Sequence, residues 1–246
     1  MQPLQQLDFT RFETVPLLKR LNAATRQLAE LKGKAASIPS QGILINTLAI
    51  QEAKDSSEIE NIITTHDELF QEDLSHKSLL SPAAKEVLRY REAIWQGFHA
   101  IQRDGLLTNQ TILTIQGVLE QNNAGFRRVP GTALKNDRTG ETIYTPPQDK
   151  REIEHLMHDL EAFINDPQIS SVDPLIKMAL IHHRFESIHP FYDGNGRSGR
   201  IINVLYLVKE GLLDIPTLYL SRYILQTKQD YYRLLQEVRT DDAWEK

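Results

Sequence analysis

A short stretch of this sequence, residues 188–200, brings together a titratable histidine, a carboxylate, a glycine-rich turn and two arginines. The stretch is Ile-His-Pro-Phe-Tyr-Asp-Gly-Asn-Gly-Arg-Ser-Gly-Arg, and it leads directly into an apolar segment, Ile201–Val208. Gly194 and Gly196 allow the backbone to turn tightly, so successive amide groups can face one concavity beside the positive end of the following helix. The pattern predicts a phosphate-binding loop at the start of a helix.

Charged side chains in the same stretch extend this prediction from phosphate to polyphosphate. Arg197 and Arg200 are three residues apart, so they lie on neighbouring sides of the first helical turn, where each planar guanidinium can hold separate phosphate oxygens. Asp193 supplies the kind of oxygen ligand that Mg²⁺ uses when it bridges phosphates. His189 can accept a proton near neutral pH. Because no lysine follows the glycines in a G-x-x-x-x-G-K-(S/T) pattern, a Walker A loop is excluded.

The elements that position this loop are predicted to be helices. Thr108 and the pairs Ser81-Pro82 and Asp173-Pro174 have the residue types of helix N-caps, twice with proline at the first helical position. The fold class is therefore predicted as mainly α. Apolar residues recur three and four positions apart in these segments: Val15–Leu31, Gly42–Ala53, Ala83–Ile101, Ile112–Leu119, Ile153–Ile164, Leu175–Phe185, Ile201–Val208 and Asp230–Val238.

One segment departs from the helical pattern. Gly125–Pro147 contains β-branched residues on either side of a polar turn that includes glycine, which predicts a β-hairpin between helices. The polar segment Gln71–Ser81 predicts a connector, and so a division into an N-terminal helical region, residues 1–81, and a larger unit, residues 82–246. Trp244, close to the last residue, is expected to be buried, which suggests that a C-terminal domain is missing.

The composition limits the classes of function. The chain has 246 residues, of which 40% are hydrophobic and 25% charged, with a net charge of -5; this suits a globular fold with a full core but gives no overall basic surface for nucleic acid. The sequence has no cysteine, so cysteine-based zinc sites and thiol chemistry are excluded and nothing requires an oxidising compartment. No targeting segment and no apolar run of membrane-spanning length is present, so a soluble, cytoplasmic protein is expected.

The stretch His189–Arg200 resembles the signature of the Fic family, H-P-F-x-(D/E)-G-N-G-R-x-x-R, at every defined position. The resemblance implies a Fic-fold helical bundle with one β-hairpin flap, and an enzyme that transfers a nucleoside monophosphate from a nucleotide to a protein hydroxyl. It further implies that His189 deprotonates that hydroxyl, that Asp193 holds Mg²⁺ and that Phe191 packs inward to anchor the loop. By the same resemblance, five residues contact the α-, β- and γ-phosphates: Gly194, Asn195 and Gly196 the first, and Arg197 and Arg200 the other two.

A second motif lies far upstream, at residues 56–61. Its sequence, Ser-Ser-Glu-Ile-Glu-Asn, resembles the inhibitory pattern (S/T)-x-x-x-E-(G/N) of one regulated class of Fic proteins. Ser56 and Glu60 are four apart and would share a helix face. In that class the glutamate pairs with the second arginine of the signature, here Arg200, and prevents productive γ-phosphate binding, because carboxylate and phosphate compete for the same guanidinium. The alternative is a solvated acidic helix face.

Other polar residues have weaker assignments. In the Fic family the hairpin flap holds the target segment by main-chain pairing, and the matching residues are Thr142, Ile143 and Tyr144; a purely structural hairpin is the alternative. Asn203 and Tyr231 are candidates for an adenine pocket. Four further histidines are expected to have no catalytic role, the first two as surface residues and the last two packed near the loop: His155, His158, His182 and His183.

Together with the resemblance, these features predict a Mg²⁺-dependent protein adenylyltransferase, inhibited by its own Glu60, that uses ATP to modify a Ser, Thr or Tyr hydroxyl of a target protein or of itself. Three alternatives stay open: removal of AMP with Glu60 orienting a water, transfer of phosphate or another part of a nucleotide, and a non-catalytic nucleotide-binding or toxin–antitoxin module. Homodimers are common among Fic relatives, but no surface patch in the sequence predicts one. Neither nucleic acid nor a membrane is an expected partner.

Overall fold

The structure, a computed structural model, describes residues 1–65, 68–69, 81–135 and 139–246. Helices dominate this part of the chain, and a two-stranded antiparallel sheet lies between the fourth and fifth of them, so the predicted mainly α fold with one β-hairpin is confirmed. The elements, after two short 3-10 turns at Leu4–Gln6 and Phe9–Phe12, are α1 (Val15–Ala36), α2 (Gln41–Ile59), α3 (Pro82–Asp104), α4 (Asn109–Glu120), β1 (Leu134–Lys135), β2 (Thr142–Tyr144), α5 (Lys150–Asn165), α6 (Pro174–Ile188), α7 (Asn195–Lys209), α8 (Ser221–Gln226) and α9 (Lys228–Asp241).

The predicted helix starts are confirmed by their capping contacts. The side chains of Ser81, Thr108 and Asp173 each accept a hydrogen bond from a backbone amide in the first turn of α3, α4 and α6. Each such cap contributes about 1 kcal/mol to helix stability. The predicted connector Gln71–Ser81 falls almost entirely on residues 70–80, which lie outside the described part of the chain, so the division at residue 81 stays a prediction.

The two helices that flank the signature loop, α6 and α7, lie in the middle of the hydrophobic core. Most residues of both are buried, and the core includes Phe185 and Ile188 from α6 and Ile201 and Leu205 from α7, each fully or almost fully excluded from solvent. A helix that is buried on nearly all sides has little freedom to shift. The loop between α6 and α7 is therefore held between two rigid elements.

The strands β1 and β2 form the described part of the hairpin flap. Leu134 pairs with Tyr144 and Lys135 with Thr142, with an irregularity in the register between the two pairs. Ile143 is 47% exposed, so an apolar side chain on the flap faces solvent. Two strands without a hydrophobic face of their own are marginally stable, so the flap depends on its contacts with the helices.

The C-terminal segment differs from its prediction in one respect. Trp244 is only half-buried, with its indole Nε1 donating to the Asp242 carboxylate at 2.6 Å and its ring edge against His183, with centroids 4.6 Å apart. The expectation that Trp244 is buried was wrong, because an indole keeps its polar edge near solvent when it has a carboxylate partner there.

Among the described helices, none combines the length and the apolar composition that crossing a bilayer requires.

Candidate active site

His189 ends helix α6 in a left-handed conformation. Its backbone has φ 49° and ψ 60°, and its amide donates to the Phe185 carbonyl at 2.9 Å. A non-glycine residue in this region costs on the order of 1–3 kcal/mol and persists only where the surroundings determine it. The strained backbone directs the residue to the wall of a cavity of about 470 Å³, which the signature loop also lines.

The environment of His189 keeps its imidazole neutral. Burial lowers the pKa of His189 to about 4, and the positive charges of Arg127 and Arg239 lower it further in the same direction. A histidine with this pKa carries no proton on one ring nitrogen at pH 7, which is the state that a general base needs.

The loop after His189 is closed by the side chain of Asn195. The Asn195 Oδ1 accepts from the Phe191 amide, and the Asn195 Nδ2 donates to the Phe191 carbonyl, both at 2.9 Å. Phe191 itself is fully buried. The side chain of Asn195 is therefore used within the loop, and the contact between Asn195 and an α-phosphate stays a prediction.

Backbone amides at the start of α7 remain available to an anion. Gly194, Asn195, Gly196 and Arg197 line the cavity, and the first amides of an α-helix have no acceptor within the helix. Gly194 has φ 76° and a Cβ there would lie 2.5 Å from the Glu120 Oε1, so another residue would be strained here and would displace the Glu120 side chain. The geometry supports the predicted phosphate-binding character of this loop.

Arg200 connects the loop to the upstream motif. Its side chain is 1% exposed; Nε donates to the Ser56 hydroxyl at 2.7 Å, and one terminal nitrogen donates to the Ser56 carbonyl at 2.9 Å and to the Glu60 carboxylate at 2.8 Å. Glu60 is the C-cap of α2 rather than a residue of the helix. A Cβ at Gly196 would collide with the Glu60 carboxylate, so the glycine allows this carboxylate to reach the loop.

Arg197 is paired with two glutamates that the sequence patterns did not predict. Its terminal nitrogens contact the carboxylates of Glu86 on α3 and Glu120 at the end of α4, the latter at 2.8 Å, and its side chain is 3% exposed. Burial, together with the negative charges of Asp193 and Glu86, raises the pKa of Glu120. A phosphate that binds Arg197 must therefore compete with carboxylates, as it must at Arg200.

Asp193 lies at the mouth of the same cavity. Its side chain is 80% exposed, and its Oδ1 accepts from the Gly194 amide at 2.7 Å. Among the described residues, no cluster of three or more His, Cys, Asp or Glu side chains could hold a metal ion. A single exposed carboxylate suits Mg²⁺ that takes its other ligands from phosphates and water.

The two candidates for an adenine pocket do not line this cavity. Asn203 is 3% exposed within α7, beyond the loop. The Tyr231 hydroxyl lies 2.7 Å from the His182 Nε2, and both residues line a separate, largely apolar cavity of about 430 Å³ beside α1. Spacing along a sequence does not show which face of a buried helix turns toward a cavity, and the adenine-pocket role of these two residues stays a prediction.

Of the other four histidines, the first two are on the surface as predicted, and the absence of a catalytic role for all four stays a prediction. His155 and His158 are exposed on α5. His182 and His183 pack against the neighbouring helix α9, and burial lowers their pKa values to about 4 and about 3.

The flap contacts two helices, α6 and α9. The Tyr144 hydroxyl donates to the Ser187 carbonyl at 3.0 Å, and the Arg239 guanidinium lies 4.3 Å above the Tyr144 ring. On the outer edge, the Gln236 side chain donates to the Ile143 carbonyl at 3.3 Å. The three predicted flap residues thus form β2. Its last residue, Tyr144, is bonded to Ser187, which precedes His189 by two residues.

The arrangement of a helical bundle, an amide-lined loop between two central helices and a hairpin flap defines the Fic fold. The model of the Fic/DOC family N-terminal region matches residues 18–99, and the model of the Fic/DOC family matches residues 106–207. This chain belongs to the Fic/DOC family.

Curated relatives cover parts of the chain. It is 27% identical to protein adenylyltransferase fic-1 of Caenorhabditis elegans over 137 residues, which are 53% of this chain and 25% of that protein. It is 32% identical to protein adenylyltransferase Fic of Drosophila erecta over 87 residues, which are 35% of this chain and 16% of that protein. The chain thus spans about a quarter or less of the length of these relatives.

Solved structures share the fold over nearly the whole chain. A Fic family protein from Desulfovibrio desulfuricans G20 superposes with a TM-score of 0.72 and 22% identity over 98% of this chain and 70% of the other. Fic-1 from C. elegans, residues 134–508, superposes with a TM-score of 0.67 and 18% identity over 94% and 68% of the two chains.

Proposed function

We propose that this protein transfers AMP from Mg-ATP to a Ser, Thr or Tyr hydroxyl of a protein. The observation that carries the proposal is the placement of His189, neutral at pH 7, in one cavity with the backbone amides at the start of α7. A base beside an anion-binding helix end supplies what attack of a hydroxyl on a phosphorus atom requires. The names of the relatives from C. elegans and D. erecta point to the same activity.

The proposed step begins with proton removal. His189 takes the proton from the target hydroxyl, whose oxygen forms a bond to the α-phosphorus while the bond from that phosphorus to the β-phosphate bridging oxygen breaks. Pyrophosphate leaves with the electron pair of that bond, and AMP stays on the protein. The amides of Asn195 and Gly196, joined by that of Gly194 once it is released from the Asp193 carboxylate, stabilise the charge on the α-phosphate oxygens.

Cationic groups act on the leaving pyrophosphate. Arg197 and Arg200 hold its oxygens once phosphate replaces the carboxylates that now contact them. Asp193 would hold Mg²⁺, which supplies further neutralisation of the phosphate charge when bound.

Glu60 inhibits the reaction in this proposal. Its carboxylate accepts from a terminal nitrogen of Arg200 at 2.8 Å, and Ser56 accepts from Nε and from the same terminal nitrogen. With Nε and this terminal nitrogen already bonded, Arg200 cannot offer a γ-phosphate two parallel donors from that edge, and the Glu60 carboxylate repels the incoming negative charge. Nucleotide binding in a productive pose therefore requires Glu60 to move away.

The target is an extended protein segment that adds to the flap. Ile143 directs its side chain to solvent and its carbonyl to the outer edge of β2, where only the Gln236 amide contacts it among the described residues. An incoming strand can displace this single side-chain hydrogen bond at a cost of about 1 kcal/mol and pair with Thr142–Tyr144. Main-chain pairing places a hydroxyl without demanding a particular neighbouring side chain, so segments of the protein itself are also substrates.

The test is incorporation of α-labelled ATP with Mg²⁺ by the wild-type chain, Glu60→Gly and His189→Ala, followed on a denaturing gel. Glu60→Gly should label itself or added protein more strongly than the wild type does. His189→Ala, combined with Glu60→Gly, should lose on the order of 10²–10⁴-fold in rate. If this double variant labels as fast as Glu60→Gly, His189 is not the base.

Removal of AMP is a second candidate function, favoured by the position of Glu60. Its side chain is 34% exposed and lines the same cavity as His189, so it could orient a water toward a phosphorus atom. A target that already carries AMP should then lose it with the wild type and keep it with Glu60→Gly. Release by both proteins, or by neither, would remove this candidate.

A further inference from the structure

Arg127 is a fully buried arginine whose partners are backbone carbonyls. It lies between α4 and the flap, and its guanidinium donates to the carbonyl of His189 through Nε at 2.8 Å. One terminal nitrogen donates to the carbonyls of Ile188, at 3.3 Å, and Pro147. The amide of Arg127 donates to the Pro190 carbonyl at 2.8 Å. One residue thus contacts the chain before, at and after the proposed base.

Two of these carbonyls need such a donor. The last carbonyls of an α-helix have no partner within the helix, and Ile188 is the last residue of α6. His189, in its left-handed conformation, directs its carbonyl away from the helix ladder. A cation at this end of a helix is also favourable for the helix dipole. Arg127 therefore stabilises the strained backbone that carries the imidazole.

The third carbonyl, that of Pro147, belongs to the base of the flap. Pro147 follows β2 by three residues, so the same guanidinium holds both His189 and the segment on which the flap is mounted. Lysine could not replace it, because one ammonium group cannot reach three carbonyls in fixed directions as a planar guanidinium does.

A second connection runs beside the first. The hydroxyl of Tyr192, in the loop, accepts hydrogen bonds from the amides of Arg128 at 2.8 Å and Val129 at 3.0 Å. The rings of Phe126 and Phe191 pack with centroids 5.5 Å apart. The segment that leads into the flap is therefore bound along the signature loop over four consecutive residues.

We propose that Arg127 is a positioning residue for AMP transfer: it fixes the distance between the His189 imidazole and the flap, so that a hydroxyl bound along the flap meets the base. This inference rests on the proposed function, since it assigns the flap to target binding. Tyr192 supports the same connection. Neither residue contacts a reacting atom, so the effect of each is on geometry and on the electrostatic environment of His189.

The charge of Arg127 gives the proposal an electrostatic consequence. The charged groups that face His189 are Arg127 and Arg239, which lower its pKa, and Glu60, which opposes them; the Glu186 carbonyl also favours the protonated ring. Loss of the Arg127 charge should raise the pKa of His189, and Arg127→Lys, which keeps the charge, should leave the pKa lower than Arg127→Met does.

The experiment compares Arg127→Lys, Arg127→Met and Tyr192→Phe, each combined with Glu60→Gly. Arg127→Met is expected to lower kcat on the order of 10²-fold, the effect of a displacement of about 1 Å, while the Kd for Mg-ATP changes less than about 3-fold. Arg127→Lys should lower kcat similarly without the rise in the His189 pKa, measured by NMR titration.

Tyr192→Phe removes one hydroxyl from a ring that is 51% exposed, and should lower kcat/KM for the target about 5–10-fold with ATP binding unchanged.

Three results would overturn the proposal: unchanged kcat in Arg127→Lys, equal loss of ATP affinity and kcat in Arg127→Met, or an unaffected Tyr192→Phe. If Arg127→Met does not fold, the kcat/KM of Tyr192→Phe for the target still shows whether the connection between the signature loop and the flap matters for AMP transfer. If Glu60→Gly itself transfers no AMP, the proposed function fails. Hydrogen exchange then tests Arg127 separately, since flap amides should exchange faster in both Arg127→Lys and Tyr192→Phe.

Discussion

Replacing Glu60 by glycine should increase the affinity for Mg-ATP by a factor that follows from its contact with Arg200. Glu60 contributes a single charge-assisted hydrogen bond of 2.8 Å, and such a bond contributes about 1.5–3 kcal/mol. Because the Glu60 side chain is 34% exposed, solvent screening places the value at the lower end, about 1.5–2 kcal/mol. The Kd for Mg-ATP should therefore fall about 10–30-fold.

The assay is isothermal titration calorimetry with Mg-ATP in a His189→Ala background, which prevents turnover during the measurement. Glu60→Gln is the matched variant, since it keeps the size of the side chain and an acceptor oxygen but loses the charge. Its Kd for Mg-ATP should lie between the Kd of the wild type and that of Glu60→Gly. Ser56→Ala keeps the Glu60 carboxylate on Arg200, and its Kd should change less than about 3-fold. Equal Kd values for the wild type and Glu60→Gly would refute the competition between carboxylate and phosphate.

Further predictions concern the base, the metal and the loop. NMR titration of the free protein should give His189 a pKa of about 4, so its ring stays neutral as the pH falls from 7 to 5.5; a pKa near 6.5 would contradict the buried base. Removing Mg²⁺ with EDTA should weaken ATP binding at least about 10-fold in Glu60→Gly and much less in Asp193→Asn, whereas equal sensitivity would exclude Asp193 as the ligand. Gly194→Ala, at φ 76° and 2.5 Å from the Glu120 Oε1, should lower the free energy of unfolding by about 1–3 kcal/mol in urea denaturation; unchanged stability would show that the loop tolerates a side chain there.

Local patterns were sufficient to predict the helices and the loop. Apolar spacing placed α3 and α6, and the oxygen side chains of Ser81 and Asp173 marked where they begin. The turn at Gly194 was predictable because its φ of 76° is a conformation that glycine adopts without strain. These features depend on neighbours within a few residues, so a single sequence contains them.

Contacts between distant segments were predictable only where a known motif connected them. The pairing of Glu60 with Arg200 followed from the resemblance, whereas Glu86 and Glu120 on Arg197, and Arg127 on His189, come from the crossing of separate helices and from a loop far away in the sequence. Nothing in the spacing of these charged residues distinguishes a buried partner from a solvated one, because burial is decided by the tertiary packing.

The sequence also did not predict how buried side chains are oriented. The side chain of Asn195 closes the loop on Phe191 because both of its polar atoms find backbone partners there, which the sequence did not show. The hydroxyl of Tyr231 contacts His182, which the sequence did not show either. In both cases the residue lies on the expected element, and the direction of its side chain was set by the nearest unsatisfied polar group.

The central claim, AMP transfer from ATP to a protein hydroxyl, is tested most directly by the balance of products. Glu60→Gly is incubated with Mg-ATP, pyrophosphate release is quantified, and the protein is analysed by tandem mass spectrometry, with Glu60→Gly/His189→Ala as the control. The account predicts one pyrophosphate for each AMP found on a Ser, Thr or Tyr side chain, and both products formed on the order of 10²–10⁴-fold more slowly with the control. A phosphoryl adduct accompanied by ADP, or ATP binding without any adduct, would contradict it.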